Sequence, residues 1–268
     1  MHKAPGWREN GWLRLWLDAW AGFSRWNHYE VENLEPLLQG QACLIVGYHG
    51  RPYAWDLCML TVELHKRLGY LPHGIMHGSF DNGPGRQFIN DLGFVTADGP
   101  ELAAAVARGE HILVSPGGTH EGFRRGDAYK VAWGKRNGYL KLALRYGLPI
   151  VPVAATGVDE LFISLNNGEK WGKRLHMPAR LPFWLALGPT GFWPFSMPFR
   201  TPVRQRVGAP IDVRALVEEI AKLAGTPMPW QDVLADAAGR PFLAAAHKRI
   251  QLEVQTILDD LRANGRRA

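Results

Sequence analysis

Apolar residues along this chain follow two rhythms: three- and four-residue steps near both ends, and short continuous runs bounded by glycine in between. The first rhythm marks amphipathic helices and the second buried strands. Over residues 6–26, Leu13, Trp16, Leu17, Trp20 and Phe23 keep the helical step, while Arg8, Arg14, Asp18 and Arg25 interrupt any membrane-spanning run. Residues 42–46 read as a buried strand, 57–68 as a helix closing at Gly69, and 74–76, 93–97 and 111–115 as short strands. An alanine-rich helix is expected over 101–109, and another over 139–146 stopped by Gly147. The strand over 149–155 contains two prolines, which point to limited pairing or an edge position. Residues 181–199 are rich in aromatics but broken by Pro182, Pro189, Pro194 and Pro198, so they cannot form a regular spanning helix. Those aromatics would meet a membrane, wall an apolar tunnel or pack on the sheet. A strand over 201–207 and helices over 211–223 and 241–261 complete the pattern.

Alternation of strand, helix and strand implies an α/β fold with a mostly parallel central sheet flanked by helices. The expected organisation is a single domain over 1–268, with an N-terminal amphipathic helix within 1–30, an α/β core over 40–210 and C-terminal helices over 211–268. Composition narrows this further. A net charge of +6 and a pI near 9.4 allow nucleic acid, an anionic membrane or an acidic cofactor as partner. Eleven tryptophans favour the membrane, because indole rings prefer the water–lipid boundary. Trp12, Trp16 and Trp20 on an arginine-bearing helix fit an element lying in that boundary, against the alternative of a helix packed on its own core. Cys43 and Cys58 form neither a disulfide framework nor a metal spacing, which fits a reducing cytosolic setting. With no secretory signal pattern at the start, the expected location is the cytoplasmic face of a membrane, peripheral or monotopic.

The chemistry concentrates in residues 47–56, Gly-Tyr-His-Gly-Arg-Pro-Tyr-Ala-Trp-Asp. His49 is delivered at the carboxyl end of a strand, where ligands of open α/β sheets collect, and Pro52 can open a helix that carries Asp56. An imidazole titrates near working pH, and a carboxylate on its second nitrogen would fix its tautomer, so the pair suits general-base removal of an alcohol proton. The bland alternative is a strand-end histidine bonded to backbone and an acid placed by the helix dipole.

A second stretch, residues 113–124, reads Leu-Val-Ser-Pro-Gly-Gly-Thr-His-Glu-Gly-Phe-Arg. Together with His49 through Asp56, and with Leu148-Pro149-Ile150-Val151-Pro152-Val153, it resembles the glycerolipid acyltransferase superfamily, in which His-x4-Asp is followed by Phe-Pro-Glu-Gly-Thr-Arg and then a Val-Pro-Ile-Val-Pro block. The Ser-Pro-Gly-Gly-x-x-Glu form is similar to the branch that acylates neutral glycerides. The resemblance implies catalysis by His49 and Asp56, with an acyl thioester, acyl-coenzyme A or acyl carrier protein, as co-substrate and no cofactor or metal. It implies a lipid acceptor held by Gly117, Gly118, Thr119, His120 and Glu121. Six residues rather than four separate His49 from Asp56. Gly117 stands where the family has glutamate, and His120 where it has the arginine thought to hold a phosphate; Asp98 replaces a further arginine. Losing guanidinium forks argues for an uncharged acceptor, with Glu121, Arg124 and Arg125 as partial substitutes.

Glycines in the 116–119 turn let backbone approach a ligand, and Thr119 adds a hydroxyl. The polar loop 77–85 leads to Arg86, a candidate contact to a donor phosphate, though it lacks the spacing of a nucleotide fingerprint. Residues 129–138 set three cations beside Tyr129 and Trp133, open to donor phosphates, single-stranded nucleic acid or plain solvent; no nucleic-acid motif surrounds them. The expected activity is therefore O-acyl transfer from a thioester to a glycerolipid or lysophospholipid hydroxyl. The alternative is a non-catalytic lipid- or membrane-binding protein on the same scaffold. A serine hydrolase finds no Gly-x-Ser-x-Gly elbow.

Overall fold

The computed structural model describes residues 11–39, 41–76, 92–97, 99–177 and 182–265. In chain order the elements are α1 (Gly11–Trp26), β1 (Glu30–Glu32), β2 (Leu44–Gly47), α2 (Trp55–Leu68), β3 (His73–Met76), β4 (Val95–Thr96), α3 (Pro100–Ala107), β5 (Ile112–Val114) and α4 (Gly118–Gly122). Then come α5 (Gly138–Tyr146), β6 (Ile150–Thr156), β7 (Ile163–Ser164), α6 (Gly168–Arg174), β8 (Ala186–Gly188), β9 (Gly191–Phe192), β10 (Arg204–Val207), α7 (Val213–Leu223), α8 (Trp230–Ala235) and α9 (Arg240–Gly265).

Seven strands form the central sheet in the order β1-β10-β6-β2-β5-β3-β4. Its pairings are parallel except where β10 meets β6. Alternation along β2 explains the layers. Leu44 and Val46 enter a large core with Ile250, Val254 and Leu258 of α9, while Cys43 and Ile45 enter a second core with Leu57, Leu60 and Leu64 of α2. A strand buried on both faces needs apolar residues at every position, which is why 42–46 reads as a continuous run.

The proline-containing strand is not an edge: β6 lies between β10 and β2. Pro152 is tolerated because it sits just past the last β10 pair, Val207 with Val153, where Gly208 N–H donates to its carbonyl (2.8 Å) and only one ladder bond is lost. Trp20 does not face a membrane either. It is buried, its ring 5.0 Å from that of Trp55 and 5.6 Å from that of Phe23. The apolar stripe of α1 thus packs on α2, and Trp16 is half-buried against Trp20 and Phe94. Trp12 and Leu15 face outward, each 59 % exposed. Among the described residues no helix is long and apolar enough to cross a membrane.

A second, three-stranded antiparallel sheet, β7-β8-β9, follows β6 and takes its last two strands from the aromatic segment. Its inner side rests on the main domain through Trp184, whose ring lies 5.7 Å from Phe123 and 6.3 Å from Phe162.

Candidate active site

Three adjacent parallel strands, β6, β2 and β5, end on the same side of the sheet. Beyond those ends lie Asp159, His49 and the 116–122 segment, the position at which open α/β sheets collect ligands. His49 is half-buried. Its Nδ1 is 3.2 Å from the Gly50 carbonyl oxygen, and since a carbonyl only accepts, that nitrogen carries the proton and Nε2 holds the free lone pair. Among the described residues nothing bonds to Nε2. Burial pushes the imidazole down to about 4, so the ring is neutral at physiological pH.

Asp56 does not hydrogen-bond His49. Its Oδ1 accepts the Gly50 N–H (3.2 Å), its Oδ2 is buried without a partner among the described residues, and burial pushes its carboxyl up to about 8. The two extra residues between His49 and Asp56 explain this. Instead of opening a helix at Pro52, the chain passes through Tyr53 and Ala54 with φ of 53° and 52°, and α2 begins only at Trp55. Consequently the two side chains do not share one helix face, as a seven-residue helical step would require.

Both flanks of His49 are tied to Asp159. The Tyr48 hydroxyl donates to Asp159 Oδ2 (2.6 Å), and Arg51 Nε donates to Oδ1 (3.2 Å). Tyr129 N–H adds a third bond to Oδ2 (2.9 Å), and Arg124 Nη2 donates to the Tyr48 hydroxyl. All five residues are buried. Asp159, Tyr48 and Arg51 carried no role at the level of sequence; the available signal was only that Asp159 closely follows the third parallel strand.

Gly122 and Gly117 are glycines for reasons of space. A Cβ on Gly122 would fall on the His49 ring, and one on Gly117 would fall on the Glu121 carboxylate. The Glu121 carboxyl group occupies the space beside Gly117 that a side chain there would fill. Glu121 is fully enclosed: Oε2 accepts His49 N–H (2.9 Å) and Oε1 accepts Ala132 N–H (2.7 Å). Burial pushes it up to about 7.

Glu121 and Arg124, expected against substrate, instead hold the loop that carries His49. Thr119 and His120 are exposed on α4, and His120 Nδ1 lies 2.9 Å from Glu169. Gly117 is buried, and Gly118 has the left-handed φ of 51° that its residue type allows. Arg86, the 77–85 loop and Asp98 lie outside the described residues. In the 129–138 stretch Trp133 and Tyr129 are buried, so they offer no stacking platform for bases, and Arg136 donates to the Gly117 carbonyl (3.1 Å).

The fold is a mostly parallel α/β sheet that presents a neutral histidine beside a Pro-Gly-Gly turn. Residues 74–228 match the family described as "Diacylglycerol acyltransferase", and the chain belongs to that family. Its His49 block lies ahead of the matched residues. The chain is 29 % identical over 209 residues to a human protein named "DGAT1/2-independent enzyme synthesizing storage lipids", covering 76 % of this chain and 60 % of that one. It therefore spans about three fifths of the length of that relative. It is also 29 % identical over 126 residues to "Phytyl ester synthase 1, chloroplastic" of Arabidopsis thaliana, covering 44 % of this chain and 18 % of that one. The crystal structure of the 1-acyl-sn-glycerophosphate acyltransferase PlsC from Thermotoga maritima shares the fold, with a TM-score of 0.51 at 17 % identity, over 94 % of this chain and 80 % of that one.

Proposed function

We propose that this protein transfers a fatty acyl group from an acyl thioester to the hydroxyl of a neutral lipid, working as a peripheral protein on the cytoplasmic face of a membrane. The observation that carries the reading is the neutral His49 at the carboxyl ends of the parallel strands, its Nε2 unpartnered among the described residues. In the reaction Nε2 takes the hydroxyl proton as the acceptor oxygen attacks the thioester carbonyl. The tetrahedral intermediate then expels the thiolate, which receives that proton from the imidazolium. In its ionised form Asp56 offers Oδ2, unpartnered among the described residues, as the acceptor toward which Nδ1–H turns as positive charge develops on the ring.

The uncharged acceptor is supported by the surroundings of the turn. The cation position at 120 holds a histidine paired with Glu169, and the nearest guanidinium in the same segment, Arg124, is committed to Tyr48 and the Lys130 carbonyl. Relatives named for storage lipids and for a phytyl ester support the same reading. The test is an acceptor panel with a labelled acyl thioester, comparing lysophosphatidate with monoacylglycerol, diacylglycerol and a long-chain alcohol. Turnover dependent on a neutral hydroxyl is expected. Preference for lysophosphatidate would overturn the acceptor assignment, and thiol release independent of any alcohol would overturn the transfer itself.

A further inference from the structure

The strand of β8 and its approach alternate strictly in burial, yet both faces are apolar. Trp184, Ala186 and Gly188 point inward, whereas Phe183, Leu185 and Leu187 point outward and are exposed. An antiparallel sheet with one face on the core normally carries polar residues on the other. Here the strand register instead lines up Ile163, Leu187 and Phe192 side by side across β7, β8 and β9, and they are 54 %, 36 % and 52 % exposed. Phe195, just beyond β9, is 94 % exposed. A continuous apolar row of this kind needs a partner surface.

Charge identifies the partner. Between positions 161 and 200 the sequence holds Lys170, Lys173, Arg174, Arg180 and Arg200 against the single acid Glu169. Lys170, Lys173 and Arg174 sit on α6, between β7 and β8, and are exposed. Apolar side chains among cations match a bilayer that offers an acyl interior beneath anionic headgroups. The sheet is also continuous with the candidate active site. Trp193, just after β9, packs at a tilt against Tyr53 (5.5 Å between ring centres), Tyr53 meets Phe123 edge to face (4.9 Å), and Phe123 follows the Gly122 that lies against the His49 ring.

We propose that the outer face of the β7-β8-β9 sheet is the surface through which this protein docks on an anionic phospholipid bilayer, setting the aromatic wall of Tyr53 and Trp193 toward the lipid. The proposal rests on the acyltransferase reading only for the identity of what enters; docking itself is measured without turnover. Flotation with vesicles of phosphatidylcholine and phosphatidylserine in equal parts compares the wild type with Leu187→Asp/Phe192→Asp. The expected result is a loss of vesicle affinity of about tenfold or more, with an unchanged circular dichroism spectrum and thermal midpoint. Binding should persist in Leu223→Asp/Leu252→Asp, which charges exposed leucines on α7 and α9.

Wild-type affinity in the sheet variant would overturn the proposal, as would abolition of binding by Trp12→Asp/Leu15→Asp on α1 while the sheet variant still binds. A wild type that sediments as a dimer without lipid, and a sheet variant that sediments as a monomer, would make the face a self-association surface and overturn it too. Transfer to a short-chain, water-soluble alcohol should survive in the sheet variant. Absence of any turnover in the wild type would sink the acyltransferase reading and leave the flotation result standing.

Discussion

His49 and Asp56 meet through Gly50 rather than directly: the Gly50 carbonyl lies 3.2 Å from His49 Nδ1, and the Gly50 N–H donates to Asp56 Oδ1 at 3.2 Å. A backbone carbonyl therefore fixes the tautomer, and the Asp56 side chain fixes the residue that supplies it. This arrangement makes separate predictions for the base, its orienting groups and the buried acids.

Replacing His49 by Ala should reduce transfer by about 10²–10⁴-fold, the range for a general base, without loss of fold. The sign of the accompanying pH effect follows from burial. The folded imidazole titrates about 4, below its ordinary 6.5, so the wild type loses stability as pH falls from 6.5 through 4. Thermal melts at pH 7 and pH 4.5 should show a smaller acid-induced drop in His49→Ala than in the wild type. The acid limb of kcat/KM in the wild type should lie below the ordinary histidine range.

Gly122→Ala places a methyl group where the His49 ring lies. Displacing a base by an ångström costs on the order of 10²-fold. We expect kcat to fall by about that factor with KM little changed, measured with the acceptor that works best for the wild type.

Asp56 and Glu121 are both raised by burial, to about 8 and about 7. A raised acid contributes stability that is present below its ordinary value and lost as pH rises through the folded one. The wild-type melting temperature should thus decline between pH 5 and pH 8.5. In Asp56→Asn that decline should shrink, leaving the variant roughly 5 °C or more ahead of the wild type at the alkaline end. An equal decline in both would remove Asp56 as its source.

Asp159→Asn should cost about 3–5 kcal/mol in denaturant unfolding, because it leaves the buried guanidiniums of Arg51 and Arg124 without their shared acid. Activity measured well below the unfolding midpoint should also fall, since Tyr48 and Arg51 flank the base. Arg51→Met, which removes one cation and keeps apolar bulk, should be the milder change.

Residues 42–46 gave a strand with His49 at its carboxyl end because a twice-buried strand must be apolar throughout, and that constraint is local. The helix over 57–68 was legible from its apolar step and Gly69, but its start was not. Tyr53 and Ala54 adopt left-handed backbone that no residue type there announces. Trp20 was legible as part of an apolar stripe, yet a stripe looks the same whether lipid or Trp55 covers it. Likewise Pro152 suggested an edge, because where a neighbouring strand stops is not written in the strand itself.

By itself the sequence determined the alternation of strands and helices, the mostly parallel sheet and the pairing in order of a histidine block with a Pro-Gly-Gly turn, all set by spacing along one stretch of chain. Only tertiary structure decided that Gly50 stands between His49 and Asp56, that Glu121 fills the space over Gly117, and that Asp159 holds both flanks of the base. Those contacts join residues up to 111 positions apart. They depend on which strands lie side by side, and strand order is chosen by burial of the whole domain rather than by any local pattern.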